Sequence, residues 1–235
     1  MESIKELRKI CQNKGYQEDI ITRFHRIFSI YITRIFLILR LKPNFVSILG
    51  FFAGIIGGYF YLYSNFLYGS IFFYIFYIFD NVDGEIARYY KISSNFGAWL
   101  DRISVHLLYP YFFFTLGLGV FGETGEFQYY IFGSLAAMSK LLERSITSRG
   151  IEVNTLKLLN KRKISLVKEC ANNIAKVSVQ YPAILLCSFF GWEELFLNFY
   201  GIYLVFFSLG KVFLNGWRIY LADICSQNNK NSKQP

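Results

Sequence analysis

The chain has 235 residues, of which 54% are hydrophobic and 20% aromatic, and its formal net charge is +9. These values fit one large soluble domain or a small membrane protein with several spans. Several stretches of about 20 residues carry almost no charge, which is the helix length that a bilayer core of about 30 Å requires. Because the basic residues lie mostly between these stretches, as membrane topology requires, the sequence argues against nucleic-acid binding.

The first 42 residues are expected to form an N-terminal region of their own. Residues 1–20 are polar and basic and are predicted to be a cytoplasmic leader. In residues 20–41 apolar residues alternate with arginines, and Arg23, Arg26 and Arg34 fall within about a quarter of a helical circle. This pattern predicts an amphipathic helix at the membrane interface. A transmembrane helix is the alternative, and it would have to carry Arg34 at depth.

The rest of the chain predicts an all-α integral membrane protein with six transmembrane helices. The predicted spans are residues 44–63, 66–88, 95–121, 127–146, 171–190 and 195–222. In the first span, Gly50, Gly54 and Gly58 allow neighbouring helices to approach closely. These spans define a membrane catalytic domain over residues 43–225, and the polar residues 226–235 are predicted to be a disordered tail.

The distribution of charge predicts how these spans are oriented. The first 42 residues, the loops after the second and fourth spans and the tail hold 18 of the 25 Lys and Arg residues. The opposite loops contain only glutamates or no charged residue. By the positive-inside rule, both termini are predicted to lie in the cytoplasm. The end of the second span and the start of the third are then predicted to lie at the cytoplasmic face of the membrane.

One stretch combines acidic and small residues at that face. A helix through residues 80–88 carries two acids, two small residues and one cation on one stripe: Asp80, Asp83, Gly84, Ala87 and Arg88. Gly97 and Asp101 repeat the arrangement on the next predicted helix. A charge within a span costs at least about 2.5 kcal/mol, so these acids are expected to be functional. An ion pair between Asp80 and Arg88 explains neither the small residues nor the spacing. Hard carboxylate oxygens predict a site for Mg²⁺ or Mn²⁺ and a phosphate group.

The spacing resembles the signature of the CDP-alcohol phosphatidyltransferases, D-x-x-D-G-x-x-A-R-x8-G-x-x-x-D-x-x-x-D. The chain matches it at seven positions: Asp80, Asp83, Gly84, Ala87, Arg88, Gly97 and Asp101. So many matches are far more specific than an isolated D-x-x-D. The resemblance extends from about Pro43 to the sixth predicted span, although outside the signature it consists only of the pattern of spans.

The resemblance implies a reaction, a cofactor and partners. A CDP-linked alcohol, usually CDP-diacylglycerol, would transfer its phosphoalcohol group to an acceptor hydroxyl and release CMP, and the lipid bilayer would surround the protein. Two Mg²⁺ or Mn²⁺ ions would be held by Asp80, Asp83 and Asp101. The residues that make room for the nucleotide or contact it would be Gly84, Ala87, Arg88 and Gly97. Dimers are common in such families, so a homodimer is a further expectation.

One signature position does not match. The last Asp, which in the family is thought to take the proton from the attacking hydroxyl, is Val105 here. His106 can act as a base near neutral pH, but it lies about 140° around the helix from the catalytic metal ligand Asp101. Three interpretations stay open: His106 or another residue is the base, the acceptor needs little help from a base, or the protein is catalytically weak.

A basic cluster lies at or beyond the cytoplasmic end of the fourth predicted span. It contains Lys140, Arg144 and Arg149, with Glu143 among them. Arg144 and Arg149 can each grip a phosphate group through two hydrogen bonds, which predicts a site for an anionic acceptor. Anchoring of the span at the cytoplasmic face would explain the same residues.

Three other functions are open alternatives. A membrane prenyltransferase also binds metal and diphosphate, but it usually needs a second acidic cluster, and the sequence contains no second D-x-x-D. A transporter could use intramembrane acids as an ion path, which does not explain the full spacing of the signature. An inactive family member that acts as a binding scaffold is the strongest non-enzyme interpretation, because of Val105.

The predicted topology can be tested by labelling single cysteines in a chain whose own cysteines are replaced. Cysteines at Asn65 and Glu193 should react from the side of the membrane opposite to cysteines at Lys91 and Lys161, because the positive loops stay in the cytoplasm. Labelling of all four positions from one side would contradict the six-span arrangement.

Overall fold

The structure is a computed structural model that describes residues 2–12, 20–148 and 171–231, and the regular elements in these ranges are all helices. They are α1 (Ile4–Cys11), α2 (Ile20–Ile38), α3 (Pro43–Leu62), α4 (Phe66–Tyr90), α5 (Asn95–Thr124), α6 (Phe127–Ser148), α7 (Val177–Phe190) and α8 (Glu193–Asn231). Residues 171–174 are also helical. The expected all-α class is confirmed.

Helices α3 to α8 lie at the positions of the six predicted spans. Within the described residues, three helical segments are long and apolar enough to cross a membrane: Pro43–Leu62, Asn95–Thr124 and Glu193–Trp217. Helix α7 is apolar but shorter. These segments indicate an integral membrane protein, while the six-span topology and the interfacial position of α2 stay predictions.

Two helix ends differ from the sequence prediction. The fifth predicted span begins at residue 171, but α7 begins at Val177, because the chain leaves the helical conformation at Ala175. The Ala175 carbonyl accepts hydrogen bonds from Lys140 Nζ (2.6 Å) and Gln180 Nε2 (3.1 Å), so side chains satisfy the carbonyl at this break. Helix α8 continues to Asn231, past residue 226 where a disordered tail is predicted to begin, because no Gly or Pro lies between Gly216 and Asn231 to interrupt it.

The predicted leader contains the helix α1, which the sequence analysis missed. The Ser3 hydroxyl accepts a hydrogen bond from the Glu6 backbone N–H (3.3 Å), and the Glu6 carboxylate accepts one from the Ser3 N–H (2.8 Å). The Ser3 N–H and, to a smaller extent, the Ser3 hydroxyl lower the pKa of Glu6 by donating hydrogen bonds to its carboxylate. This capping box is readable in the sequence as Ser3-x-x-Glu6. Leu7 and Cys11 are fully buried, so α1 packs into the fold.

Helix packing places α4 at the centre. Helix α3 packs against α4 and α5, α5 against α6, and α6 against α8, while α1, α2 and α7 contact α4. Large aromatic side chains fill the interior, and the Phe112 ring lies 5.0 Å from those of both Phe73 and Tyr181. Edge-to-face aromatic pairs at such distances add about 0.5–1.5 kcal/mol beyond the burial of their area. The interior is therefore a set of interlocked rings that fixes the helices around α4.

Glycines set the closest distances between helices. A Cβ atom at Gly117 of α5 would lie 2.7 Å from the Gly133 Cα of α6, so these two backbones touch. In α3, a Cβ atom at Gly54 would lie 2.6 Å from a Leu108 methyl group of α5. The close helix approach that the small residues of the first predicted span indicate is present in the structure.

The backbone contact between α5 and α6 predicts a large effect of one methyl group. Gly117→Ala should destabilise the protein by about 1–3 kcal/mol, because the two helices would have to separate. Gly122→Ala is the matched control in the same helix: no atom lies within 4 Å of the added Cβ, and Ala favours the helix. Thermal unfolding of both variants in detergent measures the difference. Equal melting temperatures would contradict the contact.

Candidate active site

A cavity of about 800 Å³ opens between the α2–α3 turn, the end of α4 and the start of α5. Six residues of the acidic signature line it: Asp80, Asp83, Gly84, Ala87, Gly97 and Asp101. They lie on two different helices, α4 and α5, and the fold brings them together around one cavity. The roles assigned to them as metal and nucleotide ligands stay predictions.

A short turn between α4 and α5 creates this convergence. Helix α4 ends at Tyr90, and Lys91 adopts the left-handed conformation (φ 53°) that terminates it. Ser94 then caps α5 by accepting a hydrogen bond from the Gly97 backbone N–H (2.9 Å). Because the chain reverses direction within a few residues, the last turns of α4 and the first turns of α5 lie at the same end of the molecule.

The three carboxylates have different neighbours. The Asp83 carboxylate accepts a hydrogen bond from the Ser47 hydroxyl of α3. The side chains of Asp80 and Asp101 are close enough for a hydrogen bond, and Asp80 also lies within electrostatic range of Asp83 and Arg144. In the described part of the chain, no group of three side chains is arranged as a ready-made metal cluster. A cation at this place would therefore need ligands in addition to these carboxylates.

The signature glycines contact neighbouring polar side chains. A Cβ atom at Gly97 would lie 2.8 Å from Asn44 Oδ1, so the absence of a side chain lets Asn44 of α3 approach α5. A Cβ atom at Gly84 would lie 3.3 Å from a guanidinium nitrogen of Arg88. The protein's own side chains therefore occupy part of the space that the sequence analysis assigns to the nucleotide. Ala87, which has only a methyl side chain, also lines the cavity.

Two of the predicted arginines, Arg88 and Arg144, are not among the residues that line the cavity. Arg88 donates a hydrogen bond from Nε to the Cys11 carbonyl at the end of α1 (2.5 Å). The Arg144 guanidinium lies 4.7 Å from the centre of the Tyr109 ring, a cation–π contact. Arg149 lies outside the described residues. Both contacts are with the protein itself and not with the cavity.

Lys140 and Glu143 belong to a structural network. The Lys140 ammonium is buried and donates hydrogen bonds to the Ala175 carbonyl and to Glu143 (3.3 Å). Glu143 also pairs with Lys211 of α8 at 2.6 Å. This network joins α6, the break before α7 and α8. Lys140 and Glu143 therefore have structural partners. Within the predicted basic cluster, Arg144 and Arg149 stay candidates for binding an anionic acceptor.

Val105 and His106 lie on α5 beyond Asp101. Val105 is buried, with 6% of its surface exposed. His106 Nδ1 donates a hydrogen bond to the Arg102 carbonyl (2.7 Å) one helical turn earlier, and neither residue is among those that line the cavity. Helix α5 runs without a break through this region. The local bulge that would turn His106 toward Asp101 is therefore not present.

The sequence analysis assigned no role to several polar residues that line the cavity. They are Arg40, Lys42, Asn44, Ser47, Ser93 and Ser94. Arg40 lies in the turn after α2 with a positive φ of 53°. The Pro43-Asn44-x-x-Ser47 pattern at the start of α3 was a readable signal for two of them. The two cations could not be distinguished by sequence from the other basic residues of the N-terminal region.

Comparisons with known proteins bear on this site. The sequence profile of the CDP-alcohol phosphatidyltransferase family matches residues 40–209. No curated protein sequence matches the chain. Among solved structures, the fold is similar to that of phosphatidylinositol phosphate synthase (PgsA1) from Mycobacterium tuberculosis with CDP-DAG bound, with a TM-score of 0.52 and 18% identity over 84% of this chain and 94% of that one.

The family match covers most of the chain and includes the α2–α3 turn, the acidic signature and α4 to α6. The similarity to the mycobacterial structure shows that the two chains share a fold. This chain therefore belongs to the CDP-alcohol phosphatidyltransferase family and is a transferase of that kind.

Proposed function

We propose that the protein transfers a phosphoalcohol group from CDP-diacylglycerol to an acceptor hydroxyl in the membrane and releases CMP. The observation that carries this proposal is the convergence of Asp80, Asp83 and Asp101 on one cavity with the spacing of the family signature. The synthase of similar fold has CDP-DAG bound, which supports the same class of donor here. The cytoplasmic orientation predicted from loop charges would give the site access to nucleotide-activated lipids.

The size and charge of the cavity suit such a donor. Ligand sites commonly have volumes of about 300–1,000 Å³, and this cavity of about 800 Å³ is within that range. Arg40 and Lys42 line the same cavity as the aspartates and bring positive charge to it. In the proposed complex they attract the diphosphate group, while the low surface of Ala87 and Ala98 lets the nucleotide approach the helices.

The aspartates fit a divalent metal by their donor chemistry. Carboxylate oxygens are the ligands that Mg²⁺ and Mn²⁺ prefer, and Mg²⁺ commonly completes its shell with water and substrate phosphate. This explains why a ready-made cluster of three protein ligands is not needed among the described residues. We assign Asp80, Asp83 and Asp101 as the ligands, for two ions. Bound metal would neutralise the diphosphate and stabilise CMP as the leaving group.

The chain's own residues prepare the site for this chemistry. Ser47 fixes the Asp83 carboxylate through a hydrogen bond, so that α3 and α4 hold this ligand together. Arg144, within electrostatic range of Asp80, is the candidate contact for an anionic acceptor, together with Arg149. The acceptor proton has no carboxylate at position 105 to receive it. We therefore infer slow or acceptor-restricted turnover.

A binding scaffold without activity is the second candidate function. Val105 favours it, because the side chain that would deprotonate the acceptor is replaced by a buried hydrocarbon. The signature positions assigned to binding are present, whereas the one assigned to proton transfer is replaced. Separate measurements of donor binding and CMP release therefore distinguish the two candidates.

The metal assignment is tested with Asp83→Asn. Asparagine keeps the shape and can still accept the Ser47 hydrogen bond, but it lacks the charge that binds metal, so metal-dependent binding of CDP-diacylglycerol and CMP release should both be abolished. Glu194→Gln, at the carboxylate that accepts a hydrogen bond from Tyr129 (2.5 Å) away from the cavity, is the matched control and should keep both. Unchanged metal-dependent binding in Asp83→Asn would reject the assignment.

The missing base is tested with Val105→Asp and His106→Ala. General-base catalysis contributes about 10²- to 10⁴-fold, so Val105→Asp should raise the rate of CMP release toward that extent, and His106→Ala should change it little. The assay uses CDP-diacylglycerol, Mg²⁺ and a panel of acceptor alcohols. Loss of turnover in His106→Ala without a gain in Val105→Asp would make the histidine the base. Donor binding without CMP release in wild type and Val105→Asp would favour the scaffold.

A further inference from the structure

Glu85 is a fully buried carboxylate inside the acidic signature, between Gly84 and Ile86, and the proposed reaction does not use it. Its Oε1 accepts hydrogen bonds from Ser29 Oγ (2.7 Å) and Gln12 Nε2 (2.8 Å), and its Oε2 accepts one from Thr33 Oγ1 (2.6 Å). Ser29 and Thr33 lie one turn apart on α2. Gln12 follows α1 and also donates to the Arg26 carbonyl (2.8 Å).

Glu85 and the metal-site carboxylates face different sides of α4. At 100° per residue, Glu85 lies about 200° around the helix from Asp83. Asp83 is held by Ser47 of α3, and Glu85 is held by α2, so hydrogen bonds from two different helices fix the rotation of this end of α4. Rotation of α4 about its axis would lengthen both sets of bonds at once.

Further hydrogen bonds join the same end of α4 to the N-terminal region. Arg88 donates to the Cys11 carbonyl, and the Tyr89 hydroxyl donates to the Glu2 carboxylate (2.9 Å). With the bonds of Glu85, contacts at three positions within about one and a half turns of α4 tie this helix to the N-terminal region. A buried carboxylate costs free energy unless its oxygens are hydrogen-bonded, and an apolar residue would fill the space without that cost. The carboxylate therefore adds directional bonds that an apolar side chain cannot supply.

We propose that Glu85 is a positioning residue that fixes the rotation of α4, so that Asp80 and Asp83 face the cavity at the distance a divalent cation requires. This inference rests on the proposed function, because it concerns the same metal site. Functional constellations need their groups held to within about 0.5 Å and 10–20°. The donors from the N-terminal region, Gln12, Ser29 and Thr33, do not line the cavity. They thereby act on the site through Glu85.

The test measures Mn²⁺ binding by electron paramagnetic resonance on the full chain in detergent, without substrate. Glu85→Ala should weaken Mn²⁺ binding by about 10- to 100-fold, the effect typical of residues that orient metal ligands. Glu85→Gln should restore most of the affinity, since an amide can accept from Ser29 and Gln12 and donate to the Thr33 hydroxyl. Thr33→Val, which removes one donor without touching α4, should cause a smaller loss and serves if Glu85→Ala does not fold.

A structural control separates positioning from general stability. Tyr129→Phe removes the hydrogen bond to Glu194 and should lower the melting temperature while leaving Mn²⁺ affinity unchanged. Hydrogen–deuterium exchange supplies a readout that needs no metal: Glu85→Ala should accelerate exchange in residues 80–91, and Tyr129→Phe should not. Because wild-type exchange can be measured without Mn²⁺, this comparison tests Glu85 even if the metal assignment fails.

Two results would overturn the proposal. The first is wild-type Mn²⁺ affinity in a folded Glu85→Ala or Thr33→Val variant. The second is unchanged exchange over residues 80–91 in both. Absence of Mn²⁺ binding by the wild-type protein would reject the metal part of the proposed function, and the exchange comparison would then decide alone whether Glu85 positions α4.

Discussion

Carboxylates in an apolar setting need partners, and α4 meets this need differently on its two sides. Toward α2, the Glu85 carboxylate is saturated by three neutral donors and is closed to solvent and ligands. Toward the cavity, Asp80 and Asp101 lie beside one another, where two negative charges repel. On the closed side, the hydrogen bonds of Glu85 orient α4. On the open side, a bound cation would relieve the repulsion between the carboxylates.

The spacing of the signature was sufficient to predict which residues of α4 and α5 meet. Helical periodicity places Asp80, Asp83 and Ala87 on one stripe, and the short turn brings Asp101 to the same end. Sequence could not predict that Arg40 and Lys42 of the α2–α3 turn line the same cavity, because tertiary packing brings them there. The break in the helix at Ala175 could not be predicted from sequence either, since the carbonyl there is satisfied by Lys140 of α6.

The N-terminal region shows both the strength and the limit of pattern reasoning. Its amphipathic character was evident, and Phe24, Phe28 and Ile35 do form an exposed apolar face on α2. The opposite face was not predicted: His25 and Thr33 are buried against other helices, and the His25 ring lies 2.9 Å from the Tyr74 hydroxyl and 3.0 Å from the Ser178 carbonyl. Polar residues scattered among arginines carry no periodic signal that distinguishes a solvated stripe from a buried one.

The contact between Gly117 and Gly133 has a kinematic consequence. Two helices that touch backbone to backbone have no side chains between them to reorient, and the interior that surrounds them is tightly packed. A change in the angle between α5 and α6 would push these two backbones into overlap or separate them, so the contact holds the helix that carries Asp101 and the helix that carries Arg144 at one crossing angle.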